Sequence, residues 1–170
     1  MKSVVVLVLS VLTCGLADCK TVTICDVNNV IKDRSLIPSK FSDQNLRAKV
    51  ICKANPEVGM RTDWKEAGPQ GGETLYGLFH LSNRLFCRDD SSDSTSIDHC
   101  NIHCNKFIDD DITDDVECAL GVLTNLLEHG FDFMNYNVSK LQELNQMVND
   151  LLAGGCNGKK DQDYPLDQCQ

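Results

Sequence analysis

The chain has 170 residues, 42% of them hydrophobic, and a formal net charge of −9. That length fits one domain, or one domain with a tail, and the apolar share supports a packed core. The negative charge makes nucleic acid, anionic membrane surfaces and an anionic bacterial wall poor partners, and invites cations.

The N-terminus reads as a secretory signal peptide. Lys2 supplies a positive start, Val4–Leu12 is an apolar run, and small residues follow. The stretch is short for a bilayer span and lacks a stop-transfer flank; a buried first strand is the plain alternative. No second transmembrane candidate follows, so the mature chain is expected to be soluble and secreted. Export makes the ten cysteines disulfide formers. Cys14 lies in the signal, leaving Cys19, Cys25, Cys52, Cys87, Cys100, Cys104, Cys118, Cys156 and Cys169. Cleavage after Ala17 follows the small-residue rule and leaves an odd count. Cleavage after Cys19 leaves eight and permits full pairing. Residues 1–19 are therefore assigned to the signal and 20–170 to a single domain.

Helical spacing of Val27, Val30 and Ile31 predicts a helix over Cys25–Asp33, and Leu46, Val50 and Ile51 predict another over Asn45–Lys53, with Pro38 in the link. Asn55–Gly72 is rich in Gly, Pro and polar residues and predicts loops with little regular structure. Leu75–Leu81 is an apolar run of strand length. Asp89–Asp98 is a polar loop. Asp115–His129 carries Val116, Leu120, Leu123 and Leu127 on one stripe, with Gly130 as a C-cap. Val138–Leu152 is a further helix ended by Gly154-Gly155. The tail Asn157–Gln170 is polar and pinned by Cys169. The class is α+β: helices at both ends around a small, loop-rich sheet.

Lys106–Asp115 reads KFIDDDITDD, with five aspartates in seven residues. A solvated acidic face is the bland reading of such a run. Interleaved Phe107, Ile108 and Ile112 argue that the segment packs on something, and Cys104 and Cys118 bracket it. Carboxylates held that close repel, and calcium, a hard cation taking roughly six to eight oxygen ligands, relieves the repulsion. The loop is not an EF-hand. Counting from Asp109, Asp114 stands where that motif needs glycine and Leu120 where it needs glutamate. The ligands come instead from an elbow leading into the Asp115–His129 helix, whose positive end favours Asp114 and Asp115.

Tyr76–Cys87 (YGLFHLSNRLFC) and Cys100–Cys118 (CNIHCNKFIDDDITDDVEC) resemble the centre of the C-type lysozyme and α-lactalbumin family. The resemblance implies a lysozyme-like fold, a helical lobe with a small β-sheet lobe, and four disulfides: Cys25–Cys169, Cys52–Cys156, Cys87–Cys104 and Cys100–Cys118. Spacing alone does not choose among the many ways to pair eight cysteines. KFIDDDITDD matches the family's calcium loop, which implies Ca2+ held by the carbonyls of Lys106 and Asp111 and the carboxylates of Asp109, Asp114 and Asp115. Lys20–Cys25 (KTVTIC) looks like the start of mature insect lysozymes. The resemblance is good from Cys25 to about Leu127 and weaker beyond, where the interval to Cys156 is long and lacks the family's tryptophans.

Family glycosidases need a protonated carboxyl as general acid and an ionised carboxylate across the scissile bond. By resemblance the acid position is Glu57, still a glutamate, although Pro56 before it disturbs the end of the preceding helix. The second position, just before Tyr76-Gly77, is Leu75, which can neither attack an anomeric carbon nor stabilise an oxocarbenium ion. Glu73 shares Leu75's face by strand alternation, about 7 Å away, and could substitute if the backbone bends. Leu85 and Phe86 replace the family's cleft tryptophans. Trp64 reads as a core or loop anchor. His80, His99, His103 and His129 have no zinc-type spacing with free thiols. Asn137-Val138-Ser139 is a glycosylation sequon.

The expectation is a secreted, monomeric, calcium-binding lysozyme-like protein without efficient muramidase activity, in a binding or regulatory role. Its partner would be an oligosaccharide, peptidoglycan or a protein. α-Lactalbumins regulate a galactosyltransferase, but the C-terminal region making those contacts is where the resemblance fades. Two other readings stand beside it: an active or weak lysozyme in defence or digestion, and a carbohydrate-binding module that does not cleave.

Overall fold

A computed structural model describes residues 21–54, 59–90, 96–130, 141–142, 144–146 and 155–169. The expected signal, Glu57, Asn137 and most of the helix expected over Val138–Leu152 lie outside the described residues; of that helix, residues 141–142 and 144–146 are helical, and Leu144 is fully buried.

Strand β1 (Thr21–Val22) pairs antiparallel with β2 (Met60–Arg61) and leads into helix α1 (Ile24–Asp33). A capping box explains the start of α1. Thr23 Oγ1 accepts from the Asp26 N–H at 3.2 Å, and Asp26 Oδ2 accepts from the Thr23 N–H at 2.7 Å, so two otherwise orphaned donors are satisfied. Val27 and Ile31 enter the core. The link after Pro38 is a 3-10 turn (Ser39–Gln44), unforeseen from sequence, and Asn45, at φ 51°, reverses the chain into helix α2 (Leu46–Lys53). Small polar residues tolerate that left-handed conformation best after glycine. Leu46, Ala48, Val50 and Ile51 of α2 are buried.

Strands β3 (Lys65–Ala67), β4 (Thr74–Tyr76) and β5 (Leu81–Ser82) form an antiparallel sheet in that order, with Leu75 opposite Glu66 on one side and Ser82 on the other. Two expectations need correction. The stretch Asn55–Gly72 contains β2 and β3. The apolar run Leu75–Leu81 is not one strand but a turn between two, because Gly77 (φ +66°) and His80 (φ +54°) both adopt left-handed conformations. Apolar character there reflects burial of Tyr76, Leu78, Phe79 and Leu81, not extended backbone.

Helix α3 (Thr113–His129) begins two residues before the expected Asp115. Val116, Ala119, Leu120, Leu123 and Leu126 face the core, whereas Leu127 lies off that stripe and is 36% exposed. The core is one cluster into which α1, α2, α3 and the small sheet all contribute. The tail is held by more than Cys169. It makes 3-10 turns over Asp161–Asp163 and Leu166–Gln168, packs Tyr164 and Leu166 on the core, and Asp161 Oδ1 accepts from the Ala48 N–H at 3.1 Å. Four disulfides close the fold: Cys25–Cys169, Cys52–Cys156, Cys87–Cys104 and Cys100–Cys118. Among the described residues no helix is long and apolar enough to cross a membrane.

Candidate metal loop and adjacent cleft

The acidic segment runs from a 3-10 turn (Cys104–Ile108) into the first turn of α3. Phe107 is fully buried and anchors the turn, as the interleaved apolar residues suggest. The aspartates bond locally. Asp109 accepts from Lys106 Nζ at 3.1 Å and from the Asp111 N–H at 2.8 Å. Asp111 Oδ1 accepts from the Thr113 N–H at 3.0 Å, and Asp114 Oδ1 from the Asp115 N–H at 3.2 Å. The Thr113 bond holds the Asp111 carboxyl below the usual range, and Asp109 holds the Lys106 ammonium above its own.

Asp114 and Asp115 behave differently. Burial, then the charge of Asp109, raises Asp114. Asp115 is 2% exposed, and burial followed by the charge of Asp114 pushes its carboxyl up to about 9, against the moderating pull of the Leu78 N–H. Its Oδ1 is buried with no hydrogen-bond partner. A buried carboxylate oxygen without a donor is costly to ionise unless a cation meets it. The resemblance-derived donors therefore fit a hard divalent cation chemically: oxygen atoms throughout, one orphaned and buried, and two carboxyls raised by burial and by neighbouring aspartate charge. Among the described residues no three His, Cys, Asp or Glu side chains form a metal cage. One side chain that departs from such a cage is Asp109, which is turned to Lys106, so Lys106 supplies the positive charge nearest the loop.

The second site borders β4. Leu75 is half-buried there, and no carboxylate occupies its position. Glu73 lines the same cavity of about 170 Å3 as Leu75, together with Lys53, His80, Ser82 and Phe86. Glu73, one residue before β4, lines that cavity with Leu75, in keeping with strand alternation. Its carboxylate is cradled: Ser82 Oγ donates to Oε1 at 2.7 Å, and the Gln70 N–H donates to Oε2 at 3.1 Å. Gly68 makes room, since a β-carbon there would come within 2.4 Å of Glu73 Oε2. The sequence presents Glu73 only as a conditional substitute and does not reveal the cradle; the turn residues Gly68-Pro69-Gln70-Gly71-Gly72 are the one signal of it.

His80 lies between Trp64, which it stacks on at 5.5 Å and 8°, and Glu66, whose Oε1 is 3.3 Å from Nδ1. Burial lowers the His80 pKa, against the opposing pull of the Glu66 carboxylate. Trp64 is thus a loop anchor on the β lobe, with the Arg61 guanidinium 5.6 Å from its ring centre. Leu85 and Phe86 are buried and belong to the core as well as the cavity wall.

The sequence pattern of the C-type lysozyme/alpha-lactalbumin family matches residues 20–148. Alpha-lactalbumin of Sus scrofa is 39% identical over 106 residues, spanning 62% of this chain and 69% of that protein. Alpha-lactalbumin of Equus asinus is 52% identical over 52 residues, which are 31% of this chain and 42% of that protein. Among solved structures, canine milk lysozyme stabilized against non-enzymatic deamidation is 26% identical with a TM-score of 0.56, covering 89% of this chain and 99% of that one. Lysozyme from Equus asinus, 24% identical with a TM-score of 0.55 over the same shares, matches in fold.

Proposed function

The chain belongs to the C-type lysozyme/alpha-lactalbumin family, and from that premise we propose that it is a secreted, monomeric, calcium-binding protein that uses the lysozyme-like fold for binding and not for efficient wall cleavage. The observation that carries the calcium reading is the buried, partnerless Oδ1 of Asp115. The carbonyls of Lys106 and Asp111 and the carboxylates of Asp109, Asp114 and Asp115 are the donors that would hold the ion. Bound there, calcium would neutralise these carboxylates and tie the turn before α3 to its first turn. Asp109 would exchange Lys106 Nζ for the ion. Secretion accords with four disulfides, and the Asn137 sequon would then be open to glycosylation.

For cleavage, Leu75 deprives the cleft of the carboxylate that a retaining glycosidase places opposite its acid. The resemblance leaves Glu57 as an acid without that counterpart. A second reading, a cleft that binds without cleaving, is favoured by the cradled Glu73 beside Leu75. Two measurements test the proposal. Chelation with EDTA should lower the melting temperature, because an ion that binds the native state stabilises it by mass action. Turbidity of bacterial walls should stay constant in the presence of the protein, and Glu57→Gln should change nothing. An unchanged Tm sinks the calcium reading. Clearance abolished by Glu57→Gln makes the protein a muramidase.

A further inference from the structure

The cavity beside Leu75 holds two opposite charges that do not pair with each other. Glu73 is 8% exposed, and its two bonds come from the neutral donors Ser82 Oγ and the Gln70 N–H. A carboxylate offers about four acceptor sites, so roughly two remain. Lys53, in the last turn of α2, lines the same cavity, is half-buried, and makes no ion pair among the described residues. Leu75, Leu85 and Phe86 supply apolar wall between them.

Each simple ligand class leaves something uncompensated. A lone cation meets Glu73 but is repelled by Lys53, and a lone anion the reverse. A neutral polyol desolvates both charges without neutralising either, which is costly in a partly buried site. A molecule carrying both charges answers both groups and, being neutral overall, suffers no long-range repulsion from the chain's net charge of −9. We propose that this cavity binds a small zwitterion, a free α-amino acid with an apolar side chain, its ammonium on Glu73, its carboxylate on Lys53 and its side chain against Leu75 and Phe86. The volume of about 170 Å3 accommodates one such molecule. Gly68 is then a positioning residue, because it gives Glu73 the space to stand in the cradle. The proposal rests on reading the cleft as one that binds without cleaving.

The test is calorimetric titration of the full mature protein, calcium present, with L-leucine. Saturable one-to-one binding is expected in the millimolar range or tighter. N-acetyl-L-leucine, which lacks the ammonium, and L-leucinamide, which lacks the carboxylate, should each bind about tenfold or more weakly. Glu73→Gln and Lys53→Met should each weaken L-leucine to a similar degree. Because Glu73 is buried and its substitution can disturb the loop, the two analogues on the unaltered protein decide the matter independently of any variant's folding. Equal binding of either analogue, unchanged affinity in a folded variant, or no saturable binding of L-leucine overturns the proposal. Binding of tri-N-acetylchitotriose in place of L-leucine overturns it while leaving the binding-cleft reading intact. Clearance of bacterial walls removes both.

Discussion

Gly77 stands against Asp115: a β-carbon at Gly77 would lie 2.8 Å from Asp115 Oδ1 and 1.9 Å from the Phe107 carbonyl oxygen. The glycine also holds φ +66°, so two independent constraints meet at one residue. The turn after β4 thereby closes over the first turn of α3 and buries the carboxylate that most needs a cation. Gly77→Ala should destabilise the protein by about 2–4 kcal/mol, combining the left-handed penalty with overpacking against backbone that cannot yield. Urea denaturation, with the m-value unchanged, checks this.

Asp115→Asn removes the charge while keeping the shape. The calcium-dependent rise in Tm should vanish, where the unaltered protein gains about 2.7 kcal/mol at a hundredfold excess of ion over Kd. In EDTA the variant should be at least as stable as the unaltered protein, since it no longer carries a buried carboxyl that resists ionisation. Thermal melts of both proteins with and without calcium decide it. A calcium response retained by the variant contradicts the ligand assignment.

The calcium-free protein should lose stability as pH rises. The Asp115 carboxyl has a folded pKa of about 9 against 3.8 unfolded, so between those values the folded state binds the extra proton. Stability falls with pH wherever the folded state holds more protons than the unfolded. The loss should run from about pH 4 to about pH 9, and Asp114, raised for similar reasons, adds to it with the same sign. Melting temperatures in EDTA across that range test the slope. Calcium uptake at neutral pH should also release protons, measurable by titrating a weakly buffered sample.

Restoring the missing carboxylate should not by itself restore cleavage. Leu75→Asp would set a second acid into the cavity that already holds Glu73, and two carboxylates sharing one site do not both ionise readily. Leu75→Asp combined with Glu73→Gln should therefore clear bacterial walls faster than Leu75→Asp alone. Initial turbidity rates of the two variants, compared at equal concentration, give the answer. Equal rates would place the obstacle elsewhere in the cleft.

Helices α1 and α2 are legible in the sequence because their apolar spacing marks them: α1 starts one residue before the expected Cys25, and α2 one residue after the expected Asn45. The disulfide pairs are legible through resemblance and not through spacing. The Leu75–Leu81 run misleads because apolar side chains record burial without recording backbone direction, and His80 gives no compositional hint of its positive φ. Strands β2 and β3 escape because each is very short, and the partner of β2 lies far back along the chain at Thr21–Val22. The aspartate loop is readable as a cation-seeking cluster, but the singular position of Asp115 is not. Its burial depends on Gly77, whose approach to α3 belongs to the folded chain.

The bond between Cys25 and Cys169 joins positions 144 residues apart, which makes everything between them a closed ring. A protease that cuts once anywhere inside that ring opens it without releasing a fragment. The remaining three cross-links, all inside the ring, then hold much of the severed chain in register. Such a molecule can be nicked and still migrate whole on a non-reducing gel, falling into pieces when the sulfurs are reduced.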